Sequence, residues 1–497
     1  MKKESTPSFV AEFELESSSK GFPQLDKTLN AYRQIYNATL GELKKNLDSA
    51  RASDEWKAAR QFPPGSEQRK EAFREVRKKY HLSSAQAQRV AASHRQGHFE
   101  ELTNSRILQQ IAKRAWRAVE RVMFGKAKRV RFRKRSEFLS FEGNDQKTGV
   151  VVQVSTGTVR IGKRDFIYKV DKTNPYHLHA LSSRVKYARI IKRSIGGTGR
   201  FFVQMVLEGK PYQNPKHTTI SGNLVGLDLG PSKIAVSTIT DSFQQEFCAG
   251  LDKKEAEIRR LQRAMDRSRR KNNPGNYDER GRIKPGAKKW KTTKRYTRLR
   301  MQLKELQRKK AAHRKSLHGN LANRILKLGN YIHTEKVSYL AWQKLYGKSV
   351  SNQAPSAFES IVTRKAETLG GGVEEINTYH TALSQHCICG DKEKKSLSER
   401  IHQCKKCGFR APRDELSAYL ALYTSFTNGE WKTDFREAFS GIERHRTLSL
   451  GQELKPAPGA VCEGDVSSRE SATEGFQILK RESRSVRALR TKDGKPT

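Results

Sequence analysis

The chain has 497 residues, with 98 Lys and Arg against 52 Asp and Glu, a net charge of +46 and a pI near 10.2. That length exceeds one ordinary core and calls for roughly two to four domains, and a positive excess spread over most of the chain points to phosphates neutralised along a nucleic-acid path. No apolar run approaches the ~20 residues of a spanning helix, and Met1-Lys2-Lys3-Glu4-Ser5 leads into no apolar stretch, so neither a membrane span nor a secretory leader is expected.

Phe9, Ala11, Phe13 and Leu15 alternate with polar residues, the pattern of a half-buried strand, until Pro23 breaks it. Leu25, Leu29, Tyr32, Tyr36 and Leu40 then recur at helical spacing. A second helical region runs from about 82 to 123, carries Leu108, Ile111, Ala115, Val119 and Val122 on one face, and ends at Gly125. The basic residues between these stripes are candidate nucleic-acid surface. From Lys128 the texture is β-rich, at 150–154, 159–161 and 166–170. Segments 185–195 and 201–207 flank Gly196-Gly197-Thr198-Gly199, a hairpin signal. Short strands at this spacing make a small barrel or sandwich. The first strand and residues about 128–210 are therefore expected to form one β-domain, with the helices of 25–125 inserted into it.

A new unit opens at Leu224-Val225-Gly226-Leu227-Asp228-Leu229-Gly230, an apolar strand with an acid near its centre. Strands are expected at 234–238 and 244–247. Residues 251–320 hold 25 Lys and Arg against 7 Asp and Glu. Ile258, Leu261 and Met265 start one helix there, and Leu299, Leu303 and Leu306 mark another across a basic loop. The charge favours a phosphate-facing arm over a merely solvated face. Leu317, Leu321, Ile325 and Leu328 give a further helix, 331–340 a strand containing Glu335, and 356–369 a helix ending at Gly370-Gly371-Gly372. A strand at 373–376 and a helix at 416–423 bracket the cysteine window. Beyond about 450 the sequence has little periodicity and reads as a mobile tail.

Four of the six cysteines lie between His386 and Asp414. Their scarcity and clustering speak for metal binding in a reducing compartment, not for disulfides. Cys248 reads as a small buried hydrophobe and Cys462 as a chance residue of the tail. Cys404-Lys405-Lys406-Cys407-Gly408 is a full zinc knuckle, because two thiolates two residues apart can grip one tetrahedral ion through a tight turn. The first knuckle, His386-Cys387-Ile388-Cys389-Gly390, is irregular. Pairing His386 with Cys389 keeps the ordinary spacing, whereas Cys387 with Cys389 is tighter and rarer. The spacing favours His386 with Cys387 as the alternative, and the clip is expected to be structural.

Phosphodiester hydrolysis commonly uses two divalent cations about 4 Å apart, and hard cations such as Mg2+ take carboxylate oxygens. Asp228 on one strand, Glu335 on a later strand and Asp414 opening a helix can converge on such a pair. Each alone is a weak signal; the order around a zinc clip is specific.

Together, Gly226-Leu227-Asp228-Leu229-Gly230, Thr334-Glu335-Lys336-Val337-Ser338, Arg400 four residues before Cys404, the Cys-Lys-Lys-Cys-Gly knuckle and Arg413-Asp414-Glu415-Leu416-Ser417-Ala418 resemble the RuvC-type nucleases of the transposon-associated TnpB proteins and the type V CRISPR effectors, in particular the miniature type V-F effectors. The resemblance covers about 1–425. It implies a multidomain α+β fold: a β-barrel wedge domain (1–20 and 126–215) with a helical recognition domain (21–125) inserted, then an RNase H-like, RuvC-type α/β nuclease domain (221–380 and 410–450) with the basic hairpin 251–320 and an inserted zinc ribbon (381–409), before the tail 451–497. It implies that Asp228, Glu335 and Asp414 are catalytic carboxylates holding Mg2+, with Mn2+ an alternative, and that Arg400 reaches the scissile phosphate. The alternative for Arg400 is nonspecific contact with nucleic acid. It further implies a prokaryotic cytoplasmic RNA-guided DNA endonuclease that takes a guide RNA and target DNA, reads a T-rich flanking motif, cuts double-stranded and also single-stranded DNA, and works as a homodimer on one guide. A TnpB-type transposon nuclease and a guide-dependent DNA-binding protein without cleavage are the competing readings.

Overall fold

The computed structural model describes residues 6–16, 21–217, 220–286, 288–396 and 398–448. The expected tail at 451–497, with Cys462, lies outside them.

The N-terminal half contains β1 (Ser8–Glu14), α1 (Gly21–Ala52), α2 (Asp54–Gln61), α3 (Glu67–Lys79), α4 (Ser84–Ser93), α5 (Ser105–Met123), β2 (Ser140–Glu142), β3 (Val150–Gln153), β4 (Thr158–Ile161), β5 (Arg164–Ile167), α6 (Pro175–Ser182), β6 (Val185–Ile195) and β7 (Thr198–Glu208). The first strand pairs antiparallel with β7, giving a four-stranded sheet of order β1-β7-β6-β2, beside a three-stranded sheet β3-β4-β5. Residues 21–123 are thus a helical excursion between β1 and the other strands. Pro23 does not stop a strand here. It sits in the first turn of α1, where a missing N–H costs nothing. Gly196 and Gly197 both take positive φ in the two-residue β6–β7 turn. Helices and sheets share one continuous apolar core. Tyr32 packs on Phe141 at 5.2 Å between ring centroids, and its hydroxyl accepts the Asn104 N–H at the start of α5.

The second half contains β8 (Leu224–Leu229), β9 (Lys233–Ser237), β10 (Ser242–Glu246), α7 (Glu255–Lys271), α8 (Lys294–Leu326), β11 (Tyr331–Glu335), α9 (Tyr339–Gln353), α10 (Pro355–Thr368), β12 (Gly372–Ile376), α11 (Thr378–Thr381), β13 (Ile401–Gln403), β14 (Arg410–Pro412), α12 (Arg413–Leu422), β15 (Thr424–Thr427), β16 (Glu430–Thr433) and α13 (Phe435–Gly441). Its five-stranded sheet has the order β10-β9-β8-β11-β12. Strands β8, β9 and β10 form an antiparallel meander, while β8, β11 and β12 run parallel.

Two expected helices merge into one, since nothing between Leu306 and Leu317 breaks the run of α8. The strand expected at 331–340 stops at Glu335, because the Ser338 hydroxyl caps a new helix by accepting the Ala341 N–H. Among the described residues no helix is long and apolar enough to cross a membrane.

Alternation along β8 sends Val225, Leu227 and Leu229 into the core with α8 and α10, and Gly226 and Asp228 to the opposite face. Helix α12 covers that face. A Cβ on Gly226 would lie 1.9 Å from the Ala418 carbonyl oxygen, so only glycine lets the helix backbone lie on the strand. Gly226→Ala is expected to cost about 3 kcal/mol or more through this overlap, whereas Gly319→Ala, facing open space inside α8, should gain about 0.5–1 kcal/mol. Thermal unfolding of the two variants against the parent checks both signs.

Candidate functional site

Three acids meet above the α12 face of the central sheet. Parallel pairing of β8 and β11 sets Thr334 opposite Leu227, so Glu335 ends its strand beside Asp228. Buried Ile332 joins the α8/α10 core, which leaves His333 and Glu335 on the same side as Asp228. His333 fixes that face by hydrogen bonding through Nδ1 to the Ala421 carbonyl of α12, 2.9 Å. Asp414 stands in the first turn of α12, where the helix dipole favours a negative charge.

Each carboxylate has its own support. The Leu383 N–H donates to Glu335 Oε1 at 3.2 Å. Gln244 Nε2, from β10, donates to Asp414 Oδ2 at 2.8 Å. Arg413 lies 3.4 Å from Asp414 Oδ1 and is almost fully buried, with a side chain 10% exposed. It also donates from Nη1 to the Ser396 carbonyl. Arg400 lies 3.6 Å from Asp414 Oδ2 with a side chain 66% exposed, so it ends at solvent. Burial first, then the charges of Glu335 and Asp414, hold Asp228 well above the usual carboxylate range against the opposing Arg413 and Arg400. Burial likewise raises Glu335, opposed by the Leu383 N–H. Crowded carboxylates that resist ionisation are short of positive charge, and a hard divalent cation meets that need with oxygen ligands. Asp228, Glu335, Asp414 and Arg400 are thus brought to one place. Gln244 and Arg413 were not singled out from sequence. Arg413 carried a faint signal in its adjacency to Asp414; Gln244 carried none.

The cysteine window folds immediately before α12. The four sulfurs of Cys387, Cys389, Cys404 and Cys407 lie within 4.8 Å of one another. Cys387 to Cys407 is 3.6 Å and Cys389 to Cys404 is 3.7 Å, against about 3.8 Å for the edges of a tetrahedron with Zn–S bonds near 2.3 Å. Burial among neighbouring thiols raises Cys387, and raises Cys407 to about 12. This donor set could hold a metal ion such as zinc, and all four positions are filled by protein. The expectation of His386 as a ligand is corrected to Cys387. The His386 ring turns away to the Ala382 carbonyl at 3.2 Å and packs on Phe435. The tight Cys-x-Cys turn is closed by Gly390, whose N–H bonds to the Cys387 carbonyl and whose φ is +81°. Cys248 is buried in the sheet core, as its isolation in sequence predicts.

Residues 356–420, from α10 through the ribbon into α12, match the family model described as Cas12f1-like, TNB domain. This segment is similar to the TNB domains of Cas12f1-like proteins. The resemblance to the miniature type V CRISPR effectors, read from the motifs, is borne out there. Among solved structures, the cryo-EM structure of a Cas12f1-sgRNA-target DNA complex matches at 11% identity over 83% of this chain and 98% of that one, with a TM-score of 0.42. The cryo-EM structure of a CRISPR-Cas12f ternary complex matches at 12% identity over 83% and 82%, with a TM-score of 0.26. No curated protein matches the chain.

Two measurements follow from this geometry. Elemental analysis of the TNB-like segment's metal should find one zinc per chain in the parent and in His386→Ala, and little in Cys387→Ala. Because folding raises the Asp228 pKa, its protonated form holds the cation-free fold, and that stability is lost as pH rises through the folded value. Without added Mg2+, the melting advantage of Asp228→Asn over the parent should therefore widen from about pH 5 to about pH 8, and shrink when Mg2+ is supplied.

Proposed function

We propose that the chain is an RNA-guided DNA endonuclease of the miniature type V CRISPR kind, cutting by hydrolysis at Asp228, Glu335 and Asp414. The observation that carries this reading is the convergence of three carboxylates from β8, β11 and α12 at the C-terminal ends of the inner strands of a sheet of order β10-β9-β8-β11-β12, within a protein of net charge +46. Three antiparallel strands followed by two parallel ones, with an acid on the central strand, support an RNase H-like, RuvC-type nuclease domain. The β1–β7 pairing across the helical excursion supports a wedge domain carrying an inserted recognition domain.

Asp228, Glu335 and Asp414 fit divalent cations and would hold them. When bound, two Mg2+ ions would supply the activation of water and the charge stabilisation of the leaving oxygen. The protein's own work is positional. Gln244 and Arg413 hold the Asp414 carboxylate in one orientation, and the Leu383 N–H does the same for Glu335. Arg400, largely exposed beside Asp414, is placed to meet a phosphate entering from solvent and to steady its charge. A guide paired to the target strand would provide sequence selection, while the protein holds the heteroduplex by its backbone and reads a short flanking motif, T-rich by the resemblance. A homodimer on one guide RNA belongs to the same reading.

Cleavage of a target plasmid with guide RNA and Mg2+ tests it. Asp228→Ala should slow cutting roughly a hundredfold or more, the several kcal/mol that metal-assisted catalysis supplies. Unchanged cutting by that variant would remove Asp228 from the site. Guide-directed binding by the parent with no cutting in any divalent cation would replace this reading with a DNA-binding protein.

A further inference from the structure

A second site has none of the three acids in its lining. Edge strand β1, helix α6, the segment 211–217 and helices α8 and α10 enclose a cleft of about 470 Å3, within the ~300–1,000 Å3 of small-molecule sites. One wall is aromatic. Tyr176 and Tyr212 meet edge to face at 4.8 Å between centroids, and Phe9 lies beside them. His179 backs this wall, packing on Phe9 at 5.4 Å and on Tyr212 at 5.9 Å while it donates to the Lys210 carbonyl at 2.9 Å. Tyr176 is 48% exposed, so part of its ring is unclaimed by the fold.

The opposite wall is cationic. Arg364 makes no ion pair among the described residues, and the ammonium of Lys365 reaches Asn323 Oδ1. Burial and the Arg364 charge lower the Lys365 pKa, an electrostatic cost that a bound anion would relieve. The side-chain oxygens of Asn323 and Asn214 are already accepting, from Lys365 and from the Lys216 N–H. Their amide N–H groups have no partner among the described residues. No carboxylate lines the cleft there. The spare amide groups of Asn214 and Asn323 are therefore donors, beside ring faces open for stacking.

The geometry points to a binding site for one unpaired nucleotide. The base would stack on the face of Tyr212 with the Tyr176 ring against its edge, its ring acceptors would meet the amides of Asn214 and Asn323, and its phosphate would lie on Arg364 and Lys365. Base–aromatic stacking tolerates any base, and Arg suits phosphate. This rests on the nucleic-acid reading above and gives that reading a defined subsite whose lining includes none of the three carboxylates.

The test uses the full chain without guide or divalent cation, so its failure leaves the endonuclease reading to the plasmid assay. Photolysis with 8-azidoadenosine 5′-monophosphate should label the tryptic peptides holding Tyr176 and Tyr212. Adenosine 5′-monophosphate should compete, and ribose 5-phosphate should not. Tyr212→Ala, read on the Tyr176 peptide, should lower labelling roughly tenfold; Tyr212→Phe should keep it, and Arg364→Gln should weaken it several-fold. Label scattered over the basic surface, label indifferent to the competitor, or label unchanged in Tyr212→Ala would overturn the proposal. Single-stranded RNA and DNA octamers carrying one 4-thiopyrimidine separate the sources: RNA or DNA labelling at the same peptides names the strand, and labelling by the mononucleotide alone assigns the cleft to a free nucleotide.

Discussion

Backbone lies directly on backbone where α12 crosses β8. The missing side chain at Gly226 lets the Ala418 carbonyl occupy the place of a Cβ, and this one approach sets the height of the helix above the sheet. Since Asp228 is two residues further along the same face, the first turn of α12 is delivered over it with Asp414. Tyr419 at mid-helix anchors the outer side through its hydroxyl to the Ala438 carbonyl, 2.9 Å. Nearly the whole of α12 is thereby buried, and its N-terminal end is the part left facing the acids.

The ribbon is tied to this arrangement by its place in the chain. It occupies the stretch between α11 and α12, so its closure decides where α12 can begin. The Arg413 N–H donates to the Arg400 carbonyl at 2.9 Å, and the Arg413 side chain spans from the Ser396 carbonyl to Asp414. A four-thiol cluster, a buried arginine and a carboxylate thus form one mechanical unit. Breaking a buried charge pair on one side is far costlier than never making it, which makes Arg413 a rigid strut between ribbon and site. The same buried cation, with Arg400 and the positive end of α12, offsets part of the repulsion among Asp228, Glu335 and Asp414. What it leaves uncompensated appears as the raised pKa of Asp228 and Glu335.

Much of the fold was legible because apolar periodicity is a direct imprint of one-sided burial. The strands around Phe13, Val206, Leu227 and Ile332 and the helices around Tyr32, Ile111 and Val362 fall where their alternation or their helical stripe puts them. The failures have local causes. The run from Tyr331 to Leu340 reads as one apolar strand, yet the Ser338 cap turns its second half into α9. Helices α2 and α3 have short, highly charged sequences with weak stripes, and they are defined by the Ser53 and Ser66 caps. The β15–β16 hairpin was announced by Asn428-Gly429, both at positive φ in the structure, a turn signal passed over amid polar neighbours. In the first knuckle, spacing favoured His386, but the Gly390 turn makes the tighter thiol pair geometrically possible and leaves the imidazole outside.

The amino-acid sequence by itself determined the chemistry available: three acids in order, four thiols in one window, an arginine ahead of the second knuckle, and a surplus of positive charge. It did so because residue type and spacing decide what a segment can bind or bury. Only the tertiary structure decided which of these groups meet. The Asp228–Glu335 pair depends on the register of two strands about a hundred residues apart, Gln244 reaches Asp414 from a third strand, and Cys387 displaces His386 through the path of a turn. None of these leaves a periodic trace along the chain, since each depends on distances closed only when the sheet, α12 and the ribbon pack together.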